Sequence, residues 1–181
     1  RFNMSPEDDI ILFVGGVTEF KGAQLVRQVA RRLENENVSI IVAGDGRLRE
    51  QFRNRPNILY QGFVDNEDLP SLYNAADVTL VPSESESFSI VSVESAACRT
   101  PVVTTTQDGT MVRLFQDRRA YRWTERSVDG LLDAVHDLLN NPETSYAQSR
   151  RGREAIEEMG LTIADTLDQH LAICEAAIDN H

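Results

Sequence analysis

Short apolar runs alternate along this chain with stretches in which apolar residues recur every three or four positions. Ile10–Val14 is such a run and ends in Gly15-Gly16, which predicts a strand entering a turn. From Lys21 to Leu33 the apolar positions are Ala23, Leu25, Val26, Val29, Ala30 and Leu33, a helical spacing. Val38–Ala43 reads as a strand that closes on Gly44-Asp45-Gly46. The pattern then predicts a short helix over Arg47–Arg53, a strand at Ile58–Tyr60, a helix over Leu69–Ala75 and a strand at Val78–Val81. A helix over Ile90–Cys98 and a strand at Pro101–Thr104 follow, with Ala120–Trp123 as a last strand. From Ser127 the spacing of Leu131, Leu132, Val135, Leu138 and Leu139 is helical. Two more helices are predicted near Thr144–Glu158 and Ile163–Ile178, the latter with Thr162 and Asp165 placed as at a helix N-terminus.

Strands alternating with helices predict an α/β domain, a parallel sheet with helices on both faces. Residues 1–9 are polar and read as linker, so the domain is expected over 10–181. Ligands of such sheets bind at the carboxyl ends of the strands, near the point where strand order reverses. The unusual residues of this chain fall at those ends.

Composition narrows the picture. The 181 residues suit one domain with a full core, and no apolar run approaches the roughly 18 residues of a membrane span. The chain opens at Arg1 without a secretory signal, and we read it as a piece of a longer protein. Its 29 acids face 18 bases, which argues against nucleic acid as a partner. Lys21 is the only lysine; the other bases are arginine. Such an acid excess suits a halophilic source, because salt screens repulsion among carboxylates, or an acidic protein of an arginine-rich genome. Cys98 and Cys174 lack metal spacing and read as thiols in a reducing compartment, and His136, His170 and His181 fall in no ligand pattern.

The chemistry concentrates in Ser83–Cys98. Glu94 is the only charged residue between Ser87 and Cys98, and helical spacing puts it on a face with Ile90, Val91, Ala97 and Cys98. A carboxylate on a buried apolar face needs a partner, either a structural donor or a ligand hydroxyl. Glu86 sits just before the helix, whose free N–H groups and positive dipole end attract anions. At about 1.5 Å per residue, Glu94 lies roughly 7 Å further along. One carboxylate at the mouth, a phosphate site and a deeper carboxylate would suit sugar, diphosphate and ribose in order. Lys21, after a glycine turn and opening a helix, can supply a point charge to phosphate. Without that role it is an ordinary surface lysine, as Glu86 would be a solvated loop acid.

These residues together resemble the C-terminal domain of the retaining glycosyltransferases of family 4, the group 1 transferases with two facing Rossmann-like domains. Glu86–Glu94 is similar to the family's Glu-x7-Glu motif, and Ala97-Cys98-Arg99-Thr100-Pro101-Val102-Val103 to its Ala-Cys-Gly-Thr-Pro-Val-Val segment. Phe13-Val14-Gly15, Lys21-Gly22, Val42-Ala43-Gly44-Asp45-Gly46, Gln61-Gly62-Phe63-Val64 and Leu72-Tyr73-Asn74-Ala75-Ala76-Asp77-Val78 match in order and spacing. Several ordered motifs are far more specific than one glycine pattern. The likeness implies a Rossmann-like three-layer sandwich that is one half of a GT-B fold. It also implies a hexosyltransferase whose acceptor is held by a missing N-terminal domain, with the isolated domain inactive.

The resemblance implies roles as well. Glu86 would meet the transferred sugar near the reacting carbon, and Lys21 would hold the donor diphosphate beside Gly15 and Gly16. Phe88, Ser89, Ile90 and Val91 would offer backbone groups to sugar and phosphate, Glu94 would bind ribose hydroxyls, and Val64 would lie near the base. The donor would be a nucleotide-diphosphate sugar, with no metal or other cofactor. The full-length protein would be cytoplasmic, associating peripherally with the inner face of the membrane through the missing domain.

The chain departs from the family pattern at several points. Gly15-Gly16 stands where the family has Gly-Arg, Ser87-Phe88-Ser89 stands for Gly-Phe-Gly, and Arg99 replaces a glycine. The loop Thr105–Val112 keeps one of two usual glycines, and no Asp-Gly-x-x-Gly turn occurs near Gln116–Ala120. These departures favour an alternative, a degenerate and non-catalytic nucleotide-sugar-binding or scaffolding domain. Lys21, Glu86 and Glu94 favour an active donor site. A nicotinamide-binding domain is excluded, because no Gly-x-Gly-x-x-Gly follows the first strand.

Overall fold

In a computed structural model the protein is described at residues 5, 7–106, 115, 119–162 and 165. Six strands form one sheet: β1 (Asp9–Val14), β2 (Val38–Ala43), β3 (Ile58–Gly62), β4 (Val78–Val81), β5 (Val102–Thr104) and β6 (Tyr121–Trp123). The helices are α1 (Ala23–Arg32), α2 (Leu69–Ala75), α3 (Ile90–Ala97), α4 (Val128–Asn140) and α5 (Pro142–Glu158). All paired strands are parallel and the order is β3-β2-β1-β4-β5-β6. This is the doubly wound Rossmann order, whose direction of winding reverses between β1 and β4. The predicted parallel α/β sandwich is the fold observed.

Alternation along the strands explains the two faces. Ile11 and Phe13 of β1 pack with Ile40 and Val42 of β2 beneath α1 and α4, in a core with Val26, Val29, Leu131 and Val135. Leu12 and Ile41, one residue out of phase, join Leu69 and Tyr73 of α2 on the other face. A third cluster joins Val81, Ala96, Val102, Phe115, Tyr121 and Ile156, with the rings of Phe115 and Tyr121 stacked 4.4 Å apart.

Some boundaries differ from the sequence pattern. The segment Arg47–Arg53 holds only a 3-10 turn at Arg49–Gln51. Helix α1 starts at Ala23, because Gly22 takes a left-handed φ of 76° at its N-cap. Lys21 therefore precedes the helix instead of opening it. Ile163–Ile178 lies outside the described residues except Asp165, whose N–H bonds Thr162 Oγ1 at 3.2 Å as an N-terminal pair should. Cys174, His170 and His181 also lie outside them.

Candidate functional site

The site begins with glycine geometry at the carboxyl ends of β1, β2 and β4. A Cβ on Gly22 would sit 2.1 Å from the carbonyl oxygen of Pro82, so only glycine lets the start of α1 press against the end of β4. That approach brings Lys21, beyond β1, beside Ser83 and Glu86, beyond β4. The Lys21 Nζ lies 2.7 Å from Glu86 Oε1, and the Ser83 hydroxyl donates to the same oxygen at 2.6 Å. The pair spans the crevice where the winding of the sheet reverses. The Glu86 side chain is 12% exposed and that of Lys21 36%.

A neighbouring cleft of about 340 Å³ lies beyond the ends of β1, β2 and β3. Gly15, Gly16, Gly44, Asp45, Phe63, Val64 and Leu69 line it. Its loops interlock: the Gly15 N–H donates to the Ala43 carbonyl, the Val17 N–H to that of Asp45, and the Gly44 N–H to that of Gly62. Asp45 is held below the usual carboxylate range by the Gly46 backbone N–H, with help from Arg49. Phe63, 78% exposed, leaves a flat aromatic surface at the rim.

Helix α3 begins four residues after Glu86. Its N-cap Ser89 is left-handed, with φ 56° and ψ 67°, and caps no backbone group with its side chain. The Ser92 and Val93 N–H groups bond the Ser89 carbonyl, whereas those of Ile90 and Val91 have no partner among the described residues. Open N–H groups at a helix start are the kind of donors that anions meet. Phe88 and Ile90 are exposed around it. The exposure of Ile90 corrects the expectation that it shares a buried face with Glu94. The helix buries Ser92, Ser95 and Ala96 instead, since Ala96 packs against Gly152 of α5.

Glu94 is half-buried and accepts a hydrogen bond from the Tyr73 hydroxyl at 2.8 Å. Burial, with the Glu94 charge second, pushes the Tyr73 phenol far above its ordinary range. The partner that Glu94 requires is therefore supplied by the protein, on one oxygen. Burial likewise raises Cys98, with Glu94 again adding to it.

The structure thus gathers Lys21 and Glu86 into one contact and Gly15, Gly16 and Val64 into one cleft. Phe88, Ser89, Ile90 and Val91 stand at the leading end of α3, and Glu94 lies further along that helix, bonded to Tyr73. Gln107–Val112 of the departing loop lies outside the described residues, but Thr105 and Thr106 are buried and their hydroxyls bond the Ser83 carbonyl. Sequence reasoning missed Ser83, Tyr73 and Asp45. The signal for Tyr73 was present: it shares an apolar helix face with Leu69, Leu72 and Ala76, and a buried phenol needs an acceptor. Ser83 carried no signal beyond its place after a strand.

Fold and site together define a Rossmann-type α/β domain with a crevice at its switch point. Residues 2–155 match the family model described as glycosyl transferases group 1, and the chain belongs to that family. An uncharacterized glycosyltransferase of Methanocaldococcus jannaschii is 36% identical over 121 residues, covering 61% of this chain and 31% of that protein. A D-inositol 3-phosphate glycosyltransferase of Mycobacteroides abscessus is 28% identical over 192 residues, covering 100% of this chain and 42% of that protein. The chain therefore spans less than half the length of these relatives. The C-terminal domain of the group 1 protein LpcC of Francisella tularensis has a TM-score of 0.70 at 19% identity, over 83% of this chain and 85% of that one. Anabaena HepE in complex with UDP and glucose has a TM-score of 0.75 at 19% identity, over 94% and 48%. At such identities the structural likeness establishes the fold alone, a Rossmann-like domain of the kind that forms one half of a GT-B protein. No helix among the described residues is long and apolar enough to cross a membrane.

Proposed function

We propose that this chain binds a nucleotide-sugar donor as the C-terminal domain of a retaining glycosyltransferase. The whole enzyme would transfer a hexose to an acceptor held by an N-terminal domain. The observation that carries the reading is the Lys21–Glu86 pair across the switch-point crevice, beside the open N–H groups of α3. Lys21 and the Ile90 and Val91 amides stabilise charge that develops on the departing diphosphate. Fixed donors aimed at developing charge usually lower the barrier more than any other single device. Glu86 faces the sugar, and Glu94 keeps one oxygen for ribose while Tyr73 holds the other. The base lies in the cleft of Gly15, Gly16, Phe63 and Val64. That a neighbour of this fold is held with UDP and glucose supports a uridine nucleotide as the first to try. No step is assigned to a metal.

The test is a thermal-shift and calorimetric panel of UDP, GDP, ADP and their sugars against this chain, in molar salt. One base family should raise the melting temperature, with no sugar transferred by the chain alone. Absence of a shift throughout the panel would sink donor binding. Turnover by the chain alone would sink the two-domain division of labour.

A second reading is a binding or scaffolding domain without turnover. It is favoured by Gly16, which offers no cation, and by the fact that the Lys21 charge is already matched by Glu86. Full-length protein that binds the donor but transfers nothing, to acceptor or to water, would establish this reading over the first.

A further inference from the structure

Ser83 lies two residues past β4 and is 2% exposed. Its hydroxyl donates to Glu86 Oε1 at 2.6 Å, the oxygen that Lys21 Nζ also reaches. Oε2 of Glu86 has no hydrogen-bond partner among the described residues. On its other side, the Ser83 carbonyl accepts from the Thr105 hydroxyl at 2.9 Å and the Thr106 hydroxyl at 3.1 Å. The Thr105 N–H is itself anchored on the Val81 carbonyl at 3.3 Å. The backbone at Ser83 is thus clamped by the residues that follow β5, while its side chain grips a carboxylate on a segment without regular structure.

The two donors to Oε1 are unequal. Lys21 is a flexible point charge with a side chain 36% exposed, and a bound phosphate competes for it. Ser83 is buried and fixed, with no competing ligand. Once Lys21 turns to a diphosphate, Ser83 is the contact that still defines how Glu86 points. We infer that Ser83 is a positioning residue: clamped by Thr105 and Thr106, it holds Oε1 of Glu86 and so presents Oε2 to the sugar of the bound donor. This rests on the reading of Glu86 as the sugar-facing carboxylate. It adds the residue that fixes the orientation of that carboxylate.

The experiment compares wild type, Ser83→Ala and Thr106→Val by calorimetry with UDP and UDP-glucose, or with the pair that the panel selects. In Ser83→Ala the affinity for the bare nucleoside diphosphate should stay within about two-fold. The advantage of the sugar nucleotide over it should fall about ten-fold, the usual worth of a hydrogen bond to a charged group. Thr106→Val, which removes one clamp at nearly constant shape, should shift the same ratio less. Crystal structures of ligand-free Lys21→Ala and Lys21→Ala/Ser83→Ala form the second arm: with the lysine gone Ser83 alone holds Oε1, so Glu86 should keep its wild-type rotamer in the single variant and leave it in the double one. An unchanged ratio, an equal loss of both affinities, or a Glu86 unmoved in the double variant would each overturn the inference. Wild type that binds none of the panel would instead overturn donor binding, and the crystal structures would still decide whether Ser83 orients Glu86.

Discussion

The two ends of α3 show how one short helix can finish closed at one end and open at the other. Both are flanked by a non-glycine residue in left-handed conformation, Ser89 at φ 56° and Arg99 at φ 62°. At the trailing end the chain closes on itself. The Arg99 N–H donates to the Ala96 carbonyl and the Thr100 N–H to that of Ser95, a Schellman closure, while Arg153 reaches the Ala97 carbonyl at 2.8 Å. At the leading end the Ile90 and Val91 N–H groups have no partner among the described residues, and Lys21 and Glu86 stand nearby. Similar backbone strain thus accompanies closure at one end and openness at the other. Strain at the trailing end is a cost in stability alone, whereas at the leading end it leaves two backbone donors open, where the proposed donor would meet them.

The largest effect should come from removing the cation at the leading end. Lys21→Ala should weaken binding of a nucleoside diphosphate by about 1–3 kcal/mol, the range for charged hydrogen bonds. Its ion pair with Glu86 is partly exposed, and such pairs contribute at most about 1 kcal/mol to folding. Calorimetry should therefore show a loss of affinity of about five- to 150-fold while the melting temperature moves little. A large drop in melting temperature with intact affinity would make Lys21 structural and end the contrast between the two ends.

Much of this was legible in the sequence, for reasons that differ by element. Strands such as Val38–Ala43 are buried throughout, so an apolar run broken only by Ser39 was enough to find them. Arg47–Arg53 misled because Leu48 and Phe52 are spaced as on a helix, yet the segment forms only a 3-10 turn, in which Phe52 is still buried. Lys21, Glu86 and Glu94 stood out as charges in improbable places. Their partners did not: Tyr73 meets Glu94 from another helix, so its buried phenol signals an acceptor without saying which, and Ser83, three residues before Glu86, looks like any other serine of that loop. Ser89 and Arg99, which stand where the family pattern has glycine, take the left-handed conformation that glycine favours, which sequence alone reads as loss.

Next in size is the middle of the helix. Tyr73 is 1% exposed and gives Glu94 its only protein donor among the described residues. Tyr73→Phe should destabilise the chain by about 1–2 kcal/mol, through a half-buried carboxylate left short of a donor. Donor affinity should fall less than in Lys21→Ala, since Glu94 keeps its charge. Alkali supplies a second check. A phenol whose folded-state pKa is raised contributes stability below its unfolded value near 10 and loses it as pH rises past that value. Wild type should therefore lose stability above about pH 10, and Tyr73→Phe less steeply. Equal slopes in denaturant titrations across that range would show that the Tyr73 environment in solution differs from the one described.

The smallest effects test the contrast between the ends directly, with the same substitution at each. Arg99 is exposed, makes no side-chain hydrogen bond or ion pair among the described residues, and takes a conformation that costs a non-glycine residue about 1–2 kcal/mol. Arg99→Gly should recover about 1 kcal/mol after the extra freedom of glycine in the unfolded chain is subtracted. For a chain of 181 residues that is a rise of about 2–4 °C in melting temperature. Ser89→Gly relieves the same φ but removes a buried hydroxyl that lies 2.7 Å from Ser92 Oγ, and the loss of that contact costs about 1 kcal/mol. Relief and loss offset, so stability should stay within about 0.5 kcal/mol, and nucleotide affinity should hold because the amides of Ile90 and Val91 keep their place. Thermal melts of the two variants, run side by side with calorimetry, decide the matter. Equal stabilisation by both would show that the Ser89–Ser92 contact contributes nothing. A loss of nucleotide binding in Ser89→Gly alone would show that the serine itself, and not only the backbone it bends, belongs to the site.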